Sequence, residues 1–182
     1  MNSQPEQLAT RALELATKQY GPEHPSTLLV ANNLARVYRL LGHYADAEPI
    51  AKRTLEVQQR TLGSDDPDTL DSLHNLANVL FAKGDLTAAE PFYRRTGEVR
   101  GRILGLEHPD TLKSLTGLAG LLAAKGDLTA AELIYRSTLE VQERVLGPEH
   151  PNVLGSLNNL AILMTAKGER AAAEPLYRRA LE

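Results

Sequence analysis

The sequence predicts an all-α solenoid of helix-turn-helix repeats with about nine helices. One phrase occurs four times in the chain: GPEHPSTL at 21–28, GSDDPDTL at 63–70, GLEHPDTL at 105–112 and GPEHPNVL at 147–154. The first glycines of these phrases are 42 residues apart, and a second set of glycines repeats at the same step: Gly42, Gly84, Gly126 and Gly168. A fixed period of this length is typical of supersecondary units that stack on their neighbours without sharing one globular core.

Each repeat is predicted to contain two helices joined by a short link. In the third copy, Leu112, Leu115, Leu118 and Leu122 recur at spacings of three and four residues, which is the pattern of an amphipathic helix. The predicted pairs are 25–41 with 44–61, 67–83 with 86–103, 109–125 with 128–146, and 151–167 with 170–182. A single helix at 8–20 precedes them and aligns with the second helix of a repeat.

The repeated phrase predicts a joint between helices. Pro109 suits a first helical turn, and the residue before it is His108 here but Asp66 in the second copy, which indicates an N-cap. Gly126 is a predicted left-handed C-cap, and Asp127 caps the following helix. The histidines before the prolines are one or more repeats apart. Stacked helices lie about 10 Å apart, too far for metal ligands at about 2 Å.

We expect a single array over residues 1–182. It comprises a half-repeat helix at 8–20, repeats at 21–62, 63–104 and 105–146, and a truncated repeat at 147–182. The last repeat lacks the polar cap that a solenoid normally needs. We therefore expect a piece of a longer array, or self-association of two copies through the uncapped C-terminal repeat.

Composition excludes several classes of protein. With 42% hydrophobic and 24% charged residues, the chain has enough apolar surface to fold. A net charge of −3 argues against nucleic-acid binding, and the absence of cysteine excludes disulfides and thiolate metal sites. No signal peptide or membrane span is indicated, so we expect a cytoplasmic location. No catalytic motif is present, and we expect neither enzymatic activity nor a cofactor.

Two irregularities interrupt the repeats. Prolines fall inside the predicted second helices at Pro49, Pro91 and Pro175, where they remove a backbone hydrogen bond and tend to bend the helix. Glycines cluster in the second and third repeats at Gly97, Gly101, Gly117 and Gly120. Each mid-helix glycine lowers helix stability by roughly 1 kcal/mol relative to alanine. We therefore expect the junction between the second and third repeats to be the least stable in the array. The alternative is that these glycines let helices pack closely.

The segment NNLARVY at 32–38, followed by Gly42 and Ala47, resembles the tetratricopeptide repeat. The family's small residue in the first helix and its later alanine both recur at the repeat step: Ala35, Ala77, Ala119, Ala161 and Ala47, Ala89, Ala131, Ala173. The 42-residue period is similar to the kinesin light chain type of repeat, over about residues 8–182. The resemblance implies a right-handed superhelix in which the first helices line a concave groove for a partner's peptide.

If the first helices line a groove, the residues between their buried leucines face it. These candidate peptide-binding residues are Asn32, Asn33, Arg36, Arg39, Asp71, His74, Asn75, Asn78, Lys113, Thr116, Asn158 and Asn159. The row Asn33, Asn75 and Asn159 consists of amides that can donate to and accept from a peptide backbone. Alternatively, these amides tie neighbouring helices together.

Three cations offer a second kind of contact. Arg36, Arg39 and Lys113 suit an acidic side chain or a terminal carboxylate, unless they are simply a solvated face. The clamp that some tetratricopeptide domains use for terminal carboxylates shares only Asn75 and Lys113 with this chain. We therefore expect a non-catalytic protein-interaction module or scaffold. The alternative is a structural spacer or self-association segment of a larger protein.

Overall fold

The computed structural model describes residues 4–181 of the chain. Within this range it contains nine α-helices and no strand. The helices are α1 Gln4–Tyr20, α2 Pro25–Leu40, α3 Tyr44–Thr61, α4 Pro67–Lys83, α5 Leu86–Leu104, α6 Pro109–Ala124, α7 Leu128–Leu146, α8 Pro151–Ala166 and α9 Arg170–Leu181.

The all-α prediction is confirmed, and the eight paired helices begin and end within one residue of their predicted bounds in the described range. The exception is α1, which begins at Gln4 and not at residue 8. Glu182, the last residue of the predicted ninth helix, lies outside the described residues. Hydrophobic spacing and capping residues therefore locate these helices without any knowledge of the tertiary contacts.

Contacts along the chain divide it into two compact units, one ending at Phe92 and the other beginning at Tyr93, with α5 crossing the border. In the first unit α3 packs against α2 and α4, and α2 also contacts α4. In the second unit α7 packs against α6 and α8, and α6 also contacts α8. In each unit, therefore, two successive first helices are neighbours and a second helix bridges them.

The joints begin the first helices through side-chain caps. The Nδ1 atoms of His24, His108 and His150 accept from the backbone N–H two residues later, at 3.2, 3.2 and 3.1 Å. In the second copy an oxygen of Asp66 accepts from the N–H of Asp68 at 2.9 Å. The predicted cap role is confirmed, because imidazole and carboxylate perform the same task at one position.

The two sets of repeating glycines share one backbone property. All eight have φ between +79° and +96°, and no other described residue has a positive φ. L-residues with a side chain avoid this region, whereas glycine enters it freely. The chain therefore turns out of every helix from α1 to α8 at the same kind of residue, and this preserves the 42-residue register.

The third residue after each of these N-caps is buried and β-branched. Thr27, Thr69, Thr111 and Val153 are at most 2% exposed. Thr27 donates to the carbonyl of Gly21 at 2.7 Å, but the hydroxyls of Thr69 and Thr111 have no hydrogen-bond partner. Because valine fills the place equally well, the position selects a compact branched side chain and not a hydroxyl.

Small residues set how closely the helices approach one another. The alanines that the sequence singled out are buried: Ala35, Ala77, Ala119 and Ala161 in the first helices, and Ala47, Ala89, Ala131 and Ala173 in the second. Leucines such as Leu28, Leu73 and Leu157 fill the spaces around them. The core of each unit is therefore built mainly of leucine and alanine side chains.

Ion pairs connect second helices to the next first helix. Glu48 of α3 accepts from Lys52 and from Lys83 at 2.6 and 2.7 Å, and these ammonium groups lower the pKa of Glu48. Likewise Lys167 lies 2.5 Å from Glu132 and, with Arg136, lowers the pKa of Glu132. Such near-surface ion pairs contribute little to the free energy of unfolding. Their contribution is lost as the pH falls through the lowered pKa values of the two glutamates.

Pro49, Pro91 and Pro175 lie inside α3, α5 and α9, and all three helices continue past them. Each proline is the sixth residue of its helix, so it removes an early backbone hydrogen bond only.

Glycines of the second unit lie against large side chains of neighbouring helices. A Cβ on Gly117 would stand 2.6 Å from Cε1 of Tyr93, a residue that is 1% exposed. Cβ atoms on Gly97 and Gly120 would stand 3.3 Å from Leu115 and from the hydroxyl of Tyr135. These distances support the close-packing interpretation of the glycine cluster. The expected softness of this region stays a prediction.

Gly117→Ala should destabilise the chain by about 1–3 kcal/mol, because the buried Tyr93 ring cannot move away without strain. Gly155 of α8 is the matched control, since a Cβ there meets nothing within 4 Å. Gly155→Ala should stabilise by about 0.5–1 kcal/mol through helix propensity. Urea unfolding followed by circular dichroism measures both changes. Equal stabilisation by the two substitutions would contradict the close-packing account.

Candidate functional site

Two grooves occur at equivalent places in the two units, between the N-terminal halves of successive first helices. The α2–α4 groove has a volume of about 230 Å³ and is lined by Pro25, Ser26, Leu29, Asn32, Gln58, Asp68 and Asp71. The α6–α8 groove has a volume of about 470 Å³ and is lined by Pro109, Asp110, Lys113, Thr116, Gln142, Pro151, Asn152, Gly155, Ser156 and Asn159. The lining positions correspond at a step of 84 residues, which is two repeats.

In the first unit the polar side chains beside the groove bond to one another. Asn75 donates through Nδ2 to the carbonyl oxygen and to Oδ1 of Asn32, at 3.1 and 3.0 Å. Asn32 in turn donates to Ser72 Oγ at 2.5 Å, and Ser72 donates to Gln58 Oε1. Asn32 and Asn75 therefore tie α2 to α4, which is the structural alternative that the sequence left open.

In the second unit the equivalent side chains are not joined in this way. Among the described residues, the side chains of Asn152 and Asn159 make no hydrogen bond, Lys113 has no ion pair, and Gln142 bonds to nothing although it is only 6% exposed. Thr116 stands where the first unit has Asn32, and its hydroxyl donates to the carbonyl of Leu112 in its own helix at 2.9 Å. The α6–α8 groove therefore holds polar side chains that have no hydrogen-bond partner among the described residues.

The predicted binding residues differ in their exposure and in the groove that they line. Asn33, Arg36, Asp71 and Asn158 are exposed, Arg39 and Asn78 are half-buried, and His74 is buried. Of the twelve candidates, Asn32 and Asp71 line the α2–α4 groove, and Lys113, Thr116 and Asn159 line the α6–α8 groove. The role of these residues in binding a peptide stays a prediction.

A polar position in the second helices was not foreseen from the sequence. Gln58, Arg100 and Gln142 occupy the same register and are at most 6% exposed. Arg100 donates to Ser114 Oγ at 2.8 Å and to the carbonyl of Asp110 at 3.3 Å. The sequence does contain a signal for this buried polar position. A polar residue recurs at the 42-residue step directly after Val57, Val99 and Val141, within an otherwise apolar helix face.

The two grooves differ in charge. The α2–α4 groove carries the carboxylates of Asp68 and Asp71 and no cation among its lining residues. The α6–α8 groove carries the exposed ammonium of Lys113 and the carboxylate of Asp110, which lies 3.7 Å from Nδ1 of His108. The charged residues that line the α2–α4 groove are therefore both acidic, whereas the α6–α8 groove has one acidic and one basic lining residue.

Neither a metal-binding cluster nor a membrane-spanning helix occurs among the described residues. Within residues 4–181, no three His, Asp or Glu side chains gather where they could hold a metal ion. No helix in the same range is long and apolar enough to cross a membrane.

Comparison with known proteins gives the family. The family model described as tetratricopeptide repeat matches residues 6–60, 44–100, 68–144 and 110–182, which together cover almost the whole chain. The chain belongs to the tetratricopeptide repeat family. Tetratricopeptide repeats are generally non-catalytic protein-interaction scaffolds, as the sequence led us to expect. No curated protein matches the chain.

Solved structures show the same repeat type. The tetratricopeptide chain is similar to the nearly identical TPR-like repeats of a putative kinesin light chain from Podosopora anserina, with 29% identity and a TM-score of 0.75, covering 96% of this chain and 83% of that one. BtubC (BKLC) from P. vanneervenii shares the fold at 20% identity and a TM-score of 0.78, covering 96% and 70%. MamA from Desulfovibrio magneticus RS-1 shares it more distantly, at 11% identity and a TM-score of 0.59, covering 98% and 94%. The predicted similarity to kinesin light chain repeats is confirmed.

Equivalent asparagines should respond differently to truncation. Asn75→Ala removes two hydrogen bonds to Asn32 and should lower the free energy of unfolding by about 1–2 kcal/mol. Asn159→Ala, two repeats later, removes no bond within the chain and should change it by less than about 0.5 kcal/mol. Chemical denaturation of both variants measures the difference. Equal losses would mean that Asn159 also ties helices together.

Proposed function

We propose that this tetratricopeptide protein is a non-catalytic interaction module that binds a peptide segment of a partner protein in a groove between its first helices. The observation that carries the proposal is the α6–α8 groove, which has a volume of about 470 Å³ and is lined by amide, hydroxyl and charged side chains. Amide side chains suit an extended peptide because they pair with both its N–H and its C=O groups.

The family and the fold support the general role. Tetratricopeptide repeats are interaction scaffolds, and the first helices of each unit lie side by side. A ligand that lies across two such helices meets side chains in fixed positions, so less conformational entropy is lost on binding. The cytoplasmic location expected from the sequence, and the absence of nucleic-acid or membrane partners, remain part of the proposal.

Self-association is a second candidate function. Leu181 of α9 is 88% exposed, whereas its repeat equivalents Leu55 and Leu139 are at most 7% exposed. An exposed leucine at this position suits contact with another apolar surface, either a further repeat or a second copy of the chain. Sedimentation at several concentrations separates the two candidates, because peptide binding does not require a dimer.

The proposal is tested by selecting peptides and locating them on the protein. A displayed library of random ten-residue peptides is panned against the whole chain, and the selected peptide is synthesised and added to ¹⁵N-labelled protein. We expect chemical-shift changes in the first helices, near Asn32 and Asp71 or near Lys113 and Asn159. The protein concentration is kept where sedimentation shows a monomer.

Two results would count against the proposal. Panning that enriches no peptide removes peptide binding as the function. A selected peptide whose shifts fall on exposed second-helix residues, such as Arg53 or Ser137, would place the interaction surface away from the grooves.

A further inference from the structure

A pocket with a volume of about 310 Å³ lies in the first unit, between the second helices α1 and α3 and above α2. Each of the three helices contributes side chains to it: Leu13 and Thr17 from α1, Leu28 and Ala31 from α2, and Ile50 and Arg53 from α3. The pocket shares no lining residue with the α2–α4 groove. It is therefore a separate site on the first unit.

The pocket occurs where one repeat lacks a leucine. Ala31 occupies the position that Leu73, Leu115 and Leu157 hold at steps of 42 residues. Leu73 and Leu157 are at most 1% exposed, so their side chains fill the interior of their repeats. Alanine at such a position leaves a void unless the neighbouring side chains move in to fill it.

A contact in the second unit identifies the residue that the missing side chain would meet. Leu115 is the repeat counterpart of Ala31, and Gly97 is the counterpart of Leu13. A Cβ on Gly97 would stand 3.3 Å from Cδ2 of Leu115, so this leucine extends from its first helix to the preceding second helix. The pocket therefore lies along the path that a leucine side chain takes in the third repeat.

The interior of the pocket is apolar. Leu28 and Ala31 are buried, and Leu13 and Ile50 are half-buried. Thr54 also lines the pocket, but its hydroxyl already donates to the carbonyl of Ile50 at 2.8 Å. An apolar cavity of about 150 Å³ stays dry and holds a benzene molecule, so a pocket about twice as large accepts a ligand of roughly ten non-hydrogen atoms.

A cation lies at the rim of the pocket. Arg53 is exposed, lies one helical turn after Ile50, and makes no ion pair or hydrogen bond with any described residue. No carboxylate is among the described residues that line the pocket. Arginine pairs with a carboxylate through two parallel N–H groups. The pocket therefore combines an apolar interior with an unpaired cation at its opening.

We propose that this pocket binds a small aliphatic carboxylic acid, with the hydrocarbon part over Ala31 and the carboxylate on Arg53. Binding removes the apolar lining and the hydrocarbon part of the ligand from water, and the guanidinium pairs with the charge of the ligand. The inference goes beyond the proposed peptide binding and is independent of it, because the surface and the class of ligand are both different.

The test uses octanoate, whose size matches the pocket, added to the ¹⁵N-labelled whole chain at a protein concentration where sedimentation shows a monomer. We expect saturable chemical-shift changes at Leu13, Ala31 and Ile50. The affinity should be sub-millimolar, which roughly ten non-hydrogen atoms can supply. Absence of saturable changes at these residues would overturn the inference.

Ala31→Leu restores the side chain that the other repeats carry at this position. It should raise the unfolding midpoint and weaken octanoate binding by about tenfold or more, because the leucine occupies the place of the ligand. A damaged protein would lose stability and binding together. Ile50→Phe introduces the side chain that the second repeat has at Phe92, and narrows the pocket from its half-buried wall. It provides the decisive measurement if Ala31→Leu lowers the stability. Undiminished octanoate binding in the folded variants would show that octanoate binds elsewhere, and the inference would be wrong.

The charge of the ligand is tested at Arg53. Arg53→Gln should weaken octanoate binding roughly fivefold, the effect of losing one exposed ion pair, and should leave the binding of 1-octanol unchanged. The matched control is Arg36 of α2, which is exposed, has no described partner and does not line the pocket. Arg36→Gln should leave the octanoate affinity unchanged. Equal weakening by the two arginine variants, or equal binding of octanoate and 1-octanol, would overturn the assignment of a carboxylic acid to this pocket.

Discussion

The N-cap at each joint determines where the first helix begins, and the positions of the groove side chains follow from it. His24, His108 and His150 accept from the backbone two residues later, and Asp66 does the same. The glycines before these caps supply the positive φ that ends the preceding helix. Moving a cap by one residue would rotate the following helix by about 100° and turn its polar stripe away from its neighbour. The constancy of the joint is what makes positions 84 residues apart comparable.

The joints keep the repeats in register, and a few side chains then determine which hydrogen bonds form beside each groove. Asn32 joins Asn75 to Ser72 beside the first groove, whereas Thr116 bonds within its own helix and makes no hydrogen bond to α8 beside the second groove. The lining positions of the two grooves correspond at a step of 84 residues, so the grooves differ in their side chains and in the hydrogen bonds that those side chains make. One unit therefore uses these polar positions for internal hydrogen bonds, whereas the other makes no such bonds among the described residues.

Local sequence signals predicted most of the fold. Periodic leucines, the His or Asp caps and the repeating glycines act within a few residues of one another, and helix bounds read from them agree with the structure within one residue for the eight paired helices. The candidate site was harder to predict from the sequence. Asn33, Asn75 and Asn159 share a register, and nothing in the sequence distinguishes them. The hydrogen bonding of Asn75 and Asn159 differs because a neighbouring helix places Asn32 beside Asn75 but Thr116 beside Asn159. The role of the glycine cluster likewise depended on a neighbour, the Tyr93 ring beside Gly117.

Hydrogen exchange of side-chain amides tests the central claim directly, because it compares the bonded side chain of Asn75 with the equivalent side chain of Asn159 in the free protein. In ¹⁵N spectra the Nδ2 protons of Asn75 should exchange markedly more slowly than an unprotected amide, since they are bonded to Asn32. The Nδ2 protons of Asn159 should exchange at the rate of an unprotected amide. Equal protection of Asn159 in the free protein would mean that its side chain is also held by internal hydrogen bonds, and would contradict the account.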